Sequence, residues 1–159
     1  MRVSPALSFC SHQPCLTLAS LNNLALLFKS KGEYDRALPL YEECLAKRKR
    51  VLGDEHPSTL TSLNNLALLF DSKGEYDRAL PLYEECLAKQ KRVLGDEHPD
   101  TLSSLNNLAG LFESKGEYDR ALPLYEECLA KRKRVLGDDH PHTKNTQRSR
   151  DACARQLGL

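Results

Sequence analysis

The stretch SLNNLALLFKSKGEYDRALPLYEECLAKRKRVLGDEHP runs from Ser20 to Pro57 and returns, barely changed, at Ser62–Pro99 and Ser104–Pro141. Residues 17–58, 59–100 and 101–142 align without a gap at a period of 42, and only six of the 42 columns vary. A fixed period of this size marks a repeat architecture built by tandem duplication. Residues 1–16 precede the first repeat as a non-repeat segment, and residues 143–159 follow the last.

Each unit holds two stretches of helical period, parted by Gly32, Gly74 or Gly116. In the first, Leu18, Leu21, Leu24, Ala25 and Phe28 recur at the spacing of one apolar helix face. Thr17, or the Ser58-type residue after Pro57, is the expected N-cap, and Gly32 the left-handed residue that ends the helix. In the second, Tyr34, Ala37, Leu38, Tyr41, Cys44, Leu45 and Leu52 form the apolar set. There Asp35 is the expected N-cap, which puts Pro39 near the first turn. Gly53 ends this helix, and GDEHP is the turn into the next unit. One hairpin of roughly 15 plus 18 residues leaves an apolar face uncovered, whereas stacked neighbours cover it; the expected fold is an all-α superhelix, an α-solenoid of three hairpins.

Composition fits this reading. The chain has 159 residues, 40% apolar and 28% charged, with a net charge of +1. No apolar run approaches the roughly 18 residues of a membrane span, and near-neutral charge argues against a nucleic-acid partner. The six cysteines include no CxxC pair, which disfavours a zinc ribbon or a thioredoxin site. The opening MRVSPALSFCSHQPC breaks its apolar stretch with Ser and Pro, unlike a signal peptide. A cytoplasmic protein with reduced thiols is expected; Cys10 and Cys15 would pair only in an oxidising setting.

Counted from Leu18, Ala25 falls at position 8, Phe28 at 11, Gly32 at 15, Ala37 at 20, Tyr41 at 24 and Cys44 at 27. This spacing resembles the tetratricopeptide repeat (TPR), whose usual unit is about 34 residues. With its longer second helix and turn, LNNLA…ALPLYEECLAKRKRVLGDEHP is similar to the kinesin light chain class of that repeat. The resemblance covers residues 17–142. It implies a non-catalytic scaffold that binds a protein or peptide on a concave face lined by the first helices. The chain carries no heptad coiled coil of the kind that couples a kinesin light chain to its motor, so a motor role is not expected.

On the helical wheel, Ala19, Asn22, Leu26, Lys29 and Ser30 share a side away from the apolar set. Three of the six variable columns fall there: Ala19/Thr61/Ser103, Leu26/Leu68/Gly110 and Lys29/Asp71/Glu113. A constant frame with variation on one face is what a binding surface shows, although drift at exposed positions would also reach it. The groove residues expected to meet an extended peptide are Asn22, Asn23, Leu26, Lys29, Asn64, Asn65, Leu68, Asp71, Asn106, Asn107 and Glu113. A side-chain amide both donates and accepts, so an asparagine ladder can hold a peptide backbone of any sequence; alternatively, one Asn of each pair orders the stack. Lys29 at one end, with Asp71 and Glu113 following, suggests a ligand that is basic at one end or of mixed charge.

Catalytic, metal and cofactor chemistry finds no support. Neighbouring repeats are offset by about 8–10 Å. That separates His56, His98 and His140 too far for one metal at about 2 Å per ligand. It also separates Cys44, Cys86 and Cys128 too far for a disulfide, and they read as buried core. The basic runs beginning at Lys47, Lys89 and Lys131 read as solvated helix ends that suit the macrodipole. After Pro141 the repeat restarts, but Lys144, Gln147 and Arg150 replace Leu; the segment is either a polar capping helix, with Ala152, Cys153 and Leu157 touching the last repeat, or a frayed tail. The uncapped face of the first repeat raises the rival expectation, a homo-oligomer formed by end-to-end stacking.

Overall fold

The computed structural model describes residues 17–159, so the Cys10–Cys15 question lies outside the described residues. Within them the chain forms seven helices and no strand. They are α1 (Leu18–Ser30), α2 (Tyr34–Leu52), α3 (Pro57–Ser72), α4 (Tyr76–Leu94), α5 (Pro99–Ser114), α6 (Tyr118–Leu136) and α7 (Pro141–Gln156). Each helix packs on its sequence neighbours, so α1–α2, α3–α4 and α5–α6 are hairpins and α7 lies on α6.

The hairpin joint is very short. Gly32, Gly74 and Gly116 adopt φ +75°, and the next amide closes the preceding helix: Glu33 N–H donates to the Phe28 carbonyl at 2.9 Å, while Gly32 N–H donates to Lys29 at 3.0 Å. This pair of bonds is the Schellman closure. The carbonyl of the same Glu33 accepts the first amides of α2, from Arg36 and Ala37. Glu33, not Asp35, is therefore the N-cap, and it caps through its backbone alone. Asp35 sits in the first turn, where a carboxylate suits the positive helix end. The earlier start leaves Pro39 as the sixth residue of α2, beyond the first turn.

Between hairpins the joint is looser. Gly53 leaves α2 at φ 92° and ψ 164°, and Asp54 and Glu55 carry the chain to His56. His56 is the N-cap of α3, with Pro57 at the first helical position; its Nδ1 accepts from the Ser58 amide at 3.1 Å. His98 and His140 repeat this cap. Only α1 is capped by a hydroxyl, that of Thr17.

Two packing surfaces alternate. Inside a hairpin, Ala25 and Ala37 are completely buried, as are Ala67, Ala79, Ala109 and Ala121. Tyr41, Tyr83 and Tyr125 fill the space beside them, and each first-helix Phe stacks under an Arg, as Phe28 does under Arg36 at 4.0 Å. Between hairpins, Leu69 and Leu111 are 0% exposed whereas their counterpart Leu27 is 49% exposed. A preceding second helix makes the difference, since full burial of one leucine is worth about 1.5–3 kcal/mol. In α7 this column holds Cys153, fully buried, and the helix ends on the same glycine closure at Gly158. In the columns by which the earlier first helices pack Leu and Ala on their second helices, α7 carries Gln147 and Asp151.

Gly110 stands mid-helix in α5, and a Cβ there would meet only the Tyr125 hydroxyl, at an ordinary 3.5 Å. Gly110→Ala should stabilise the protein by about 0.5–1 kcal/mol by removing the unfolded-state freedom of glycine, read as a higher urea midpoint at unchanged slope.

Candidate functional site

The stack has an inner and an outer side. α3 meets α5 and α5 meets α7 directly, whereas no comparable contact joins α2 to α4 or α4 to α6. The first helices therefore crowd along the inside of the curve. Their inward ridge carries Asn22, Leu26 and Lys29 on α1, Asn64, Leu68 and Asp71 on α3, and Asn106, Gly110 and Glu113 on α5. Leu26 is exposed, and the others are half-buried.

The asparagines link the first helices to one another. Asn65 Nδ2 donates to Asn22 Oδ1 at 3.0 Å, and Asn107 Nδ2 donates to Asn64 Oδ1 at 3.2 Å. Ser104 also donates to Asn64 Oδ1, and Thr146 donates to Asn106 Oδ1 at 2.9 Å. Asn65 and Asn107 thus hold the stack together, each bond contributing about 0.5–1.5 kcal/mol. Asn23 has no preceding repeat to bond and is exposed. With their oxygens committed, Asn22, Asn64 and Asn106 retain amide Nδ2 groups that have no acceptor among the described residues. The ladder is held by the oxygens of Asn22, Asn64 and Asn106 and the nitrogens of Asn65 and Asn107, and it offers the nitrogens of the first three as a row of donors.

The Lys29/Asp71/Glu113 column extends one step further than the three repeats, because Arg155 of α7 occupies the same place. Along the inner face the charges run plus, minus, minus, plus. Partial burial holds the Lys29 ammonium below its ordinary pKa, with the Asp71 charge pulling it back up. Burial likewise raises the Asp71 carboxyl, with Lys29 and the Tyr83 hydroxyl opposing. Beneath the column, Tyr125 donates to Glu113 at 2.6 Å and Tyr83 to Asp71 at 3.5 Å. Tyr41 faces Lys29 in place of a carboxylate, so its buried hydroxyl has no partner, and burial pushes its pKa up to about 12.

The Arg48/Gln90/Arg132 column was missed as a site element. Read as the solvated end of a basic run, it instead turns inward: Arg132 is 4% exposed and Gln90 3%. Arg48 Nη1 donates to the Ser58 carbonyl at 2.7 Å and to the Ser62 hydroxyl at 2.8 Å. Arg132 Nη1 makes the equivalent bonds to His142 and Thr146. The signal was available, since this column varies alongside the Ser58/Asp100/His142 column that it contacts. The four described cysteines are free and buried; burial raises the Cys86 thiol to about 11, which keeps it unreactive. Among the described residues no helix is long and apolar enough to cross a membrane.

Comparison with known proteins agrees with this fold. A family model described as tetratricopeptide repeat matches residues 16–92, 72–134 and 100–158. The kinesin light chain-type protein of Podosopora anserina with nearly identical TPR-like repeats superposes with a TM-score of 0.81 at 30% identity, over 89% of this chain and 67% of that one. A point variant of it gives the same score and identity, over 66% of its own length. BtubC (BKLC) from P. vanneervenii gives 0.80 at 28% identity, over 95% of this chain; the present chain spans 60% of its length. No curated protein matches the sequence significantly.

The unequal tyrosine pairs are open to test. Tyr125→Phe should cost about 1 kcal/mol, since it strips a hydrogen bond from a half-buried carboxylate, whereas Tyr41→Phe should be neutral or mildly stabilising. Thermal unfolding of the two variants side by side checks the contrast.

Proposed function

Because the chain belongs to the tetratricopeptide repeat family, whose members generally mediate protein–protein interaction, we propose that its inner face binds an extended peptide segment of a partner protein. The observation that carries this reading is where the repeats differ. Half of their variable columns lie on the inner ridge of the first helices, while the apolar residues that build the two packing surfaces are identical. The free Nδ2 groups of Asn22, Asn64 and Asn106 supply sequence-independent donors for backbone carbonyls. The charge column supplies selectivity. Neighbouring first helices lie about 8–10 Å apart, or roughly three residues of extended chain at about 3.3 Å each. A fitting peptide is therefore basic at two positions about three residues apart, facing Asp71 and Glu113, and acidic toward Lys29 and Arg155. No reaction step is part of this reading.

A second reading rests on the exposed α1 face. Leu26 and Leu27 are 52% and 49% exposed, while the polar outer side of α7 offers no apolar mate. Self-association would therefore join two α1 faces head to head rather than stack repeats head to tail.

A displayed random-peptide library separates the two. Selected peptides should carry the paired basic residues and lose at least about tenfold in affinity against an Asp71→Lys, Glu113→Lys variant. They should also weaken against Asn106→Ala, which removes one donor of the row together with one ladder acceptor; circular dichroism and the urea midpoint of the variant separate lost binding from lost stability. Peptides indifferent to all these changes would overturn the groove reading. Sedimentation equilibrium of the free chain should give a monomer mass; a dimer that Leu27→Glu dissociates would favour the α1 interface.

A further inference from the structure

A small cavity opens on the inner face between α3 and α5, lined by Thr61, Asn64, Gln90, Asp100, Ser103 and Ser104. Its volume of about 60 Å³ is room for roughly four waters at about 15 Å³ each by the same measure. The place matters because the other two repeats fill it themselves. In the first, the Arg48 guanidinium bonds the Ser58 carbonyl and the Ser62 hydroxyl; in the third, Arg132 bonds the His142 carbonyl, the Thr146 hydroxyl and the Leu102 carbonyl. The second repeat has Gln90, which is shorter and uncharged. Its Oε1 is buried with no donor, an arrangement that native structures rarely leave without a cause.

The lining is rich in acceptors, beside the amide nitrogens of Asn64 and Gln90. Thr61 and Ser103 give their hydroxyl protons to the Pro57 and Pro99 carbonyls at 3.0 and 2.9 Å, and Ser104 gives its own to Asn64 Oδ1 at 3.3 Å. All three oxygens therefore have lone pairs left for a donor. Asp100, standing where the first repeat has Ser58, adds a carboxylate that no lysine or arginine among the described residues pairs; the nearby His98 Nδ1, at 3.9 Å, is itself an acceptor, from the Asp100 amide. The second repeat has thus lost an internal cation and gained an anion at the same spot.

We propose that this cavity is a socket for the guanidinium of an arginine side chain supplied by the bound partner. The guanidinium would take the place that Arg48 and Arg132 occupy in the flanking repeats, donating to Gln90 Oε1, the Ser104 hydroxyl and Asp100. Its planar fork of five N–H donors and permanent charge match the hydroxyl and amide oxygens and the one carboxylate of this site. The origin of the side chain in a peptide rests on the groove reading above. The socket itself does not, because Asn64 and Thr61 place its mouth on the inner ridge whatever crosses it.

The test uses N-acetyl-arginine N-methylamide, titrated into the 15N-labelled chain and followed by amide chemical shifts. Saturable shifts should gather at Thr61, Asn64, Ser103, Ser104 and the Gln90 side-chain amide. The neutral citrulline analogue should bind at least about tenfold more weakly, as expected for loss of a charge-assisted hydrogen bond. Gln90→Arg fills the socket with the residue found in both flanking repeats, so it should fold, raise the melting temperature and abolish the saturable shifts. Asp100→Ser should weaken binding several-fold. Shifts that persist in Gln90→Arg, equal affinity for citrulline or lysine analogues, or no saturable shift at all would each overturn the proposal. Library peptides that bind wild type and Gln90→Arg alike would remove the socket and leave the groove; arginine amide binding without peptide capture would do the reverse.

Discussion

Leu69 and Leu111 vanish from solvent because a second helix precedes each of them, and Leu27, the same residue in the same column, stays half exposed. That contact, between one hairpin's second helix and the next hairpin's first, is the constraint on which the molecule depends. A hairpin alone has an apolar side with nothing to cover it. Stability therefore accumulates between nearest neighbours, and the inner ridge exists only because the stacking sets the first helices side by side. The asparagine ladder follows from it: Asn22 reaches Asn65 only when α1 and α3 lie in this register.

The fold was legible because the same short-range signals occur three times. The Leu18–Phe28 spacing, the glycine between the stretches and the paired alanines each repeat in register, and three copies remove the ambiguity a single helix would leave. The caps were less legible, for a local reason. Asp35 is the better side-chain cap by type, yet the glycine closure delivers the chain to Glu33 already turned, so a backbone carbonyl takes the role. In sequence His56 has the look of a turn residue before Pro57, yet its Nδ1 rather than the Ser58 hydroxyl caps α3.

The inner face was legible in outline and not in detail. Periodicity puts Asn22, Leu26 and Lys29 on one side of α1, but it cannot say which atom of an amide faces a neighbour. The structure divides Asn22, Asn64 and Asn106 between a stack-holding oxygen and an outward nitrogen, while Asn65 and Asn107 spend their nitrogens on the stack. The Arg48/Gln90/Arg132 column escaped notice because a basic run near a helix end has an ordinary explanation in the macrodipole. What separates it from its solvated neighbours is long-range: the next hairpin's first turn brings Ser58, Asp100 or His142 over it, and that proximity has no trace in one unit's sequence.

The two kinds of joint differ in what they let the chain do under load. At Gly32–Glu33 a single residue closes one helix and opens the next through backbone bonds, so each hairpin is a stiff lever. Between hairpins, Gly53 to His56 crosses with few backbone bonds of its own, and the helices meet through apolar side chains and a sparse set of side-chain hydrogen bonds such as Asn65 to Asn22 and Arg48 to Ser62. A pull on the ends is therefore taken up between hairpins, as a change in the pitch of the superhelix, before any helix frays. The molecule is a short spring of rigid plates, and the spacing of its inner-face donors and charges is set by how far that spring is wound.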